Sequence, residues 1–356
     1  MKLLLAVSAF LLLSGCSNHD EQQSAEPDIF TVSKSLTGTI VISSEKLTDP
    51  WVILYMDSLL IIGNKKGNPL VELYKPSGEL VKKVIEKGKD SLNIRLIGSL
   101  QANYVDSCIY VYDLFGKKTL KIAITKSNST YEPSFFADFA KLPVSVKLYD
   151  KIYVNHGAFL AESRSPKGRL LIISTDGSRS RYMVDYPEKV DSTLTDQENA
   201  ELYPTGIAVS PDRRNLAMGA YDAGLINLFS IKDDTLLTPT WSSLDFLPSG
   251  LIRVPSEDTN HIAFSNKSRC GYPDIAATND YVYAIYSGQY FKSPHYTFSD
   301  VVRITSWDGK RRCKLNLDKK IDRLSVSSDN SILYGIALNK EGNPEIVSYN
   351  LKSVFK

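Results

Sequence analysis

Six short polar turns, each leading into an apolar strand, recur along this chain and constrain its fold more than any other feature. They fall at Asp57-Ser58, Asp106-Ser107, Asp150-Lys151, Asp212-Arg213, Asn279-Asp280 and Asp329-Asn330, between 44 and 68 residues apart. Asp, Asn and Ser bond nearby backbone and tolerate positive φ, which is what a tight hairpin requires. Around each turn the chain alternates in strand-like fashion. The first unit reads as strands 51–55, 59–62, 70–74 and 80–85, with an outer turn at Pro76-Ser77-Gly78. The second contributes 108–112 and 120–124, and the third 144–148, 152–155, 170–174 and 181–184. The fourth gives 206–209, 216–219 and 225–231, the fifth 281–286, 301–306 and 313–317, the sixth 332–337 and 345–351. Four strands at such a period are propeller blades. The longest intervals carry insertions at 185–204 and 241–269.

The last unit runs out of chain after its third strand. Residues 38–43, with Thr39-Ile40-Val41-Ile42 at their centre, precede the first unit and have no hairpin partner nearby. They are expected to supply the sixth blade's outer strand and close the ring, which removes open sheet edges. The predicted fold is therefore all-β: one six-bladed β-propeller of four-stranded antiparallel blades over residues 30–356, closed by an N-terminal strand. A pair of β-sandwiches would need a linker in mid-chain, and none is visible. Twenty tyrosines and many β-branched residues suit sheet. A net charge of +2 argues against nucleic acid as a partner, because that surface would need a basic stripe.

The N-terminus reads separately. Lys2, an apolar run over 3–13 and a small-residue site form a secretory signal, too short to span a bilayer. Leu13-Ser14-Gly15-Cys16 resembles a bacterial lipoprotein box. That resemblance implies cleavage after residue 15 and acylation of Cys16, which would anchor the protein to a membrane through lipid. Residues 16–29 then form the lipidated cysteine and a polar tether, whose eleven residues 17–27 reach about 18 Å as a coil. Ser17 lacks the aspartate associated with inner-membrane retention, so outer-membrane sorting is implied. Asp20-Glu21 is similar to the acidic surface-export signals of Bacteroidetes-type lipoproteins. Whether the domain faces periplasm or exterior stays open. With Cys16 lipidated, Cys108, Cys270 and Cys313 remain. That is either three buried thiols or one Cys270–Cys313 bridge, with Cys108 placed in an apolar strand.

Ser210-Pro211-Asp212-Arg213-Arg214-Asn215-Leu216-Ala217 resembles the Ser-Pro-Asp-Gly-Lys strand turn of TolB and its relatives. Tyr74-Lys75-Pro76-Ser77-Gly78-Glu79-Leu80-Val81 is similar to the outer hairpin of other six-bladed families. Together with the lipoprotein start, residues 30–356 resemble the TolB-like six-bladed propeller lipoproteins of Bacteroidetes. This sequence departs from the pattern by placing Arg213-Arg214-Asn215 where Gly-Lys is usual.

No catalytic constellation is legible. The turn acids recur where structure alone requires them. His19, His156, His261 and His295 are unpaired at metal spacing, and HExxH, Cys-x-x-Cys and Gly-x-Ser-x-Gly are all missing. No catalytic residue, metal ligand or cofactor is therefore assigned. In a propeller, the loops joining second to third strands and those entering each first strand crowd one end of the channel. That rim is expected to carry His156, Phe159, Tyr203, Tyr221, Tyr290, Phe291, His295 and Tyr296, an aromatic and imidazole set suited to a protein or glycan. The expected function is a membrane-anchored, non-enzymatic binding or scaffold module. The alternative is a metal-dependent hydrolase of the six-bladed lactonase sort. Strands 51–55, 144–148 and 206–209, read as innermost, carry almost no oxygen ligands for the ion that chemistry needs.

Overall fold

The computed structural model describes residues 29–30, 32–124, 130–139, 152–155, 158–174, 178–232, 236–255 and 261–355. The chain enters as two short strands, β1 (Val32–Leu36) and β2 (Thr39–Ile42), and then lays down six sheets in succession. Blade 1 is β3 (Pro50–Met56), β4 (Leu59–Asn64), β5 (Val71–Tyr74) and β6 (Leu80–Ile85). Blade 2 is β7 (Ile97–Asn103), β8 (Cys108–Asp113), β9 (Lys118–Ala123) and β10 (Pro133–Asp138). Blade 3 follows as β11 (Ile152–Asn155), β12 (Ala158–Ser165), β13 (Gly168–Ser174) and β14 (Ser180–Met183). After a one-and-a-half-turn helix α1 (Asp196–Glu201), blade 4 is β15 (Thr205–Val209), β16 (Asn215–Ala220), β17 (Leu225–Lys232) and β18 (Leu236–Leu244). A separate hairpin, β19 (Leu251–Val254) and β20 (His261–Phe264), precedes blade 5, which is β21 (Ile275–Ala277), β22 (Tyr281–Ile285), β23 (Ser299–Ser306) and the first half of β24 (Arg312–Val326). The second half of β24 opens blade 6, continued by β25 (Ile332–Leu338) and β26 (Pro344–Asn350).

The ring closes as the sequence predicts. β2 pairs antiparallel with β26, Thr39 opposite Ser348 and Ile40 opposite Val347. Ile42 is wholly buried among Ile53, Leu60 and Ile62 of blade 1 and Tyr334, Ile336 and Ile346 of blade 6. Burial of such a side chain contributes roughly 1.5–3 kcal/mol. Five further apolar clusters lie between successive blades, from blades 1 and 2 round to blades 5 and 6. The core is thus a set of interblade seams, and strands sandwiched on both faces, such as β4 and β8, are buried throughout. β1 was not foreseen: it pairs parallel with β24, Val32 opposite Cys313, as a fifth strand on blade 5. Just before it, the Phe30 ring lies under the Arg303 guanidinium at 4.7 Å.

The hairpin turns follow from their sequences. Asp57 and Ser58 both take positive φ, +48° and +63°, the two-residue turn that matches strand twist. Ser210, Ser306 and Ser327 build one repeated turn. In each, the Ser hydroxyl donates 2.6 Å to the aspartate two residues on, and the next residue (Arg213, Gly309 or Asn330) takes positive φ. Arg213 at φ +61° in place of glycine reaches Asp106 of blade 2 at 3.4 Å.

Blade 3 requires a correction. Asn155 lies opposite Ala158, and the described strands run 152–155, 158–165, 168–174 and 180–183 in order, so 158–165 is a strand between two that the sequence reading makes neighbours; 144–148 lies outside the described residues. The alternating apolar segment 158–161 forms a strand, and residues 140–151, including the expected turn at Asp150, lie outside the described residues. The two insertions also acquire a structure. Thr195 and Glu198 form a capping box on α1, and Arg253 Nε of β19 donates 2.9 Å to Glu198 Oε1, packing one insertion on the other.

Candidate functional site

The loops entering each first strand and those linking second to third strands gather at one end of the channel, where they wall a cavity of about 510 Å³. Trp51 and Lys65 come from blade 1, Glu162 and Arg164 from the end of β12, Tyr221 and Asp222 from the β16–β17 loop, Asp274 and Arg323 from the entries to blades 5 and 6. Below it the channel narrows to about 110 Å³, walled mainly by apolar inner-strand residues such as Val52, Leu54 and Ala208, with Asp274 shared by both spaces.

Backbone geometry sets the mouth. A Cβ on Gly271 would lie 1.8 Å from the carbonyl oxygen of Ala223, so only glycine lets the segment before β21 press against the β16–β17 loop. Gly271 N donates to Tyr221 O at 2.6 Å and Tyr272 N to Ala220 O at 3.0 Å, fixing Tyr221 and Asp222 at the rim of the cavity.

The charges at the mouth are largely paired within the protein. Arg164 Nε donates 3.1 Å to Glu162 Oε1, which also accepts from Thr205 N at 3.2 Å. Arg323 Nε donates 3.1 Å to Trp51 O, its Nη1 donates 2.7 Å to Asp322 O, and its guanidinium lies 4.3 Å from the Trp51 ring centre. Lys65 sits 4.6 Å from the same ring. Asp274 Oδ2 accepts from Leu324 N at 3.0 Å. Asp222 differs: it is 5% exposed and its Oδ1 is buried with no hydrogen-bond partner. Burial raises its carboxyl to about 7, Arg164 opposing and Glu162 adding to the rise. Burial likewise raises Asp322 to about 6, against the pull of Arg323.

The eight rim residues expected from sequence are dispersed. Tyr221 lines the cavity, and burial, followed by Cys270 and Tyr296 beside it, raises its phenol. Tyr296 stacks on Phe291 at 4.5 Å, and Phe291 meets Phe264 of the inserted hairpin at 5.9 Å. His295 packs edge-on against Phe298 at 5.7 Å and contributes to the field at Asp322. Tyr290 lies against Arg269 and Lys292 and lines a separate cleft. Tyr203 is fully buried behind the rim, 5.8 Å from Arg169. Phe159 is not a rim residue: it lies on β12 in the seam between blades 2 and 3, edge-on to Phe139 at 4.7 Å. His156 lies outside the described residues, in the connection from β11 to β12 that joins the first strand to the second.

Glu162, Arg164, Asp274 and Arg323 were missed. The cysteines Cys108, Cys270 and Cys313 are free thiols, the first two buried. Among the described residues no three His, Cys, Asp or Glu side chains group as a metal site.

Six four-stranded blades around a channel with one wide, polar and aromatic mouth define a six-bladed β-propeller. The profile of the TolB-like 6-blade propeller-like family matches residues 30–329, and the chain belongs to that family. A member of the DUF4221 family from Bacteroides vulgatus shares the fold at TM-score 0.55 and 10% identity, over 89% of this chain and 96% of that one. A calcium-binding protein, regucalcin, from Agrobacterium tumefaciens is similar at TM-score 0.51 and 9% identity, over 90% and 96%. No curated protein matches the chain in sequence.

Proposed function

We propose that this protein is a lipoprotein held to the outer membrane through Cys16, whose propeller binds a protein or glycan at the channel mouth without transforming it. The observation that carries this reading is the mouth itself. Its cavity of about 510 Å³ falls in the size range of small-ligand sites and is walled by aromatic rings and by arginines already bonded to protein groups. Arginines so committed, and charged at any working pH, orient a ligand rather than move its protons.

Glycan and peptide arrays probed with the wild type and with the Tyr221→Ala/Tyr296→Ala double variant test it. Retention on a ligand class that the double variant loses at least tenfold is expected; equal retention by both proteins refutes the mouth as the site. The likeness to regucalcin motivates the second reading, a channel-bound divalent ion serving a hydrolase. Millimolar Ca²⁺ is expected to leave the melting temperature unchanged, and a rise of several degrees would favour the ion.

A further inference from the structure

We infer that the ligand taken at this mouth is a neutral carbohydrate whose hydroxyls donate to Asp222, a conclusion that rests on the binding reading above. Asp222 Oδ1 is a buried acceptor without a donor, and such a group costs roughly 1–3 kcal/mol until something bonds it. Asp222 is among the residues lining the cavity, with Oδ1 closed off in its wall, so a ligand hydroxyl that displaces the covering groups supplies the missing donor. The surrounding charges then select the ligand's chemistry. Lys65, Arg164 and Arg323 oppose a cationic group entering the same space, while Glu162, Asp222 and Asp274 oppose an anion. A hydroxyl brings a donor and no charge. Because the Trp51 ring already carries Lys65 and Arg323, the Tyr221 ring, half-buried beside Asp222, is the face left for the apolar side of a sugar.

Protonation gives the assignment its signature. The groups facing Asp222 are Glu162 and Arg164 of β12, Tyr221 of its own loop, and Cys270 of the segment before β21. With its carboxyl near 7, Asp222 is mostly an acceptor at pH 8 and mostly protonated at pH 6. Affinity for a hydroxyl donor should therefore fall about tenfold between those values.

The test is calorimetric titration of the full mature chain, made soluble by Cys16→Ser. The probes are neutral trisaccharides (malto-, cello-, manno- and xylo-), a chitosan trisaccharide and a galacturonate trisaccharide. A neutral member is expected to bind, to lose about tenfold from pH 8 to 6, and to lose at least tenfold at pH 8 with Asp222→Asn, which abolishes the pH dependence. Tyr221→Ala should weaken it at every pH. Selective binding of the charged trisaccharides, neutral binding indifferent to pH and to Asp222→Asn, or no saccharide binding at all would overturn the inference. If peptides instead bind in a Tyr221-dependent way, the mouth stands as a site and only its ligand class changes; if nothing depends on Tyr221, the binding reading falls with it.

Discussion

Asn330 offers the sharpest test of how the narrow end of the channel is held. It occupies the left-handed region at φ +58° in the first turn of blade 6 and is 9% exposed. Its Oδ1 accepts from Thr278 Oγ1 at 2.7 Å and from Tyr283 Oη at 2.9 Å, and its Nδ2 donates 2.9 Å to Asp280 Oδ2. One side chain thus stitches blade 6 to blade 5. Asn330→Gly keeps the backbone conformation and removes all three bonds. The Thr278 hydroxyl can turn to Tyr281 O, 3.2 Å away, but the Tyr283 hydroxyl is left buried and unmet. The expected loss is about 2–4 kcal/mol, mostly that stranded donor plus the bond to a charged carboxylate. Asn330→Ala loses the same bonds and adds about 1–2 kcal/mol for a Cβ in the left-handed region. Urea unfolding followed by tryptophan fluorescence measures both, read as midpoint shifts at constant slope. Equal losses for Gly and Ala would deny the conformational part of the reasoning. Losses under about 0.5 kcal/mol in both would show that the stitch contributes nothing.

Two further outcomes follow from other parts of the molecule. The Asp222 carboxyl, raised to about 7 against an ordinary value of 3.8, makes the folded state bind more protons than the unfolded one between those values. Stability should therefore fall as pH rises through that window. Asp222→Asn should match the wild type near pH 4 and exceed it by roughly 4 kcal/mol at pH 8, and thermal melts showing no pH-dependent gap would refute the burial argument. At the other end of the chain, Cys16→Ser is expected to move the protein from the membrane fraction to the soluble one. A variant that still sediments with membranes would contradict the lipid anchor.

Much of the architecture was legible because turn chemistry is local. Asp57-Ser58, Asp212-Arg213 and Asp329-Asn330 announce their hairpins, and an unpartnered Thr39-Ile40-Val41-Ile42 announces closure. β1 was hidden: Val32–Leu36 carries Ser33, Lys34 and Ser35, lies largely exposed and owes its place to pairing with β24. The site is less legible, and one omitted strand accounts for much of that. Ala158–Ser165 follows Ile152–Asn155 after a two-residue connection with no Asp, Ser or Pro to announce it, so the sequence reading passes over it as loop. That placed His156 and Phe159 at the mouth and concealed that β12 delivers Glu162 and Arg164 there. Asp222 was visible only as a neighbour of Tyr221. Its buried, partnerless oxygen is a property of packing between blades and has no sequence signature.

Closure of the wheel underlies both the seams and the mouth, since it sets blade 6 with Arg323 against blade 1 with Trp51, whose carbonyl oxygen Arg323 bonds. Hydrogen exchange read by mass spectrometry tests it directly. Peptides covering Thr39–Ile42 should exchange well below the rate of an unstructured peptide, through the N–H groups that bond β26, and somewhat faster than Pro344–Asn350, which is paired on both sides. Exchange of the first segment at the rate of an unstructured peptide, beside a protected second one, would contradict the account.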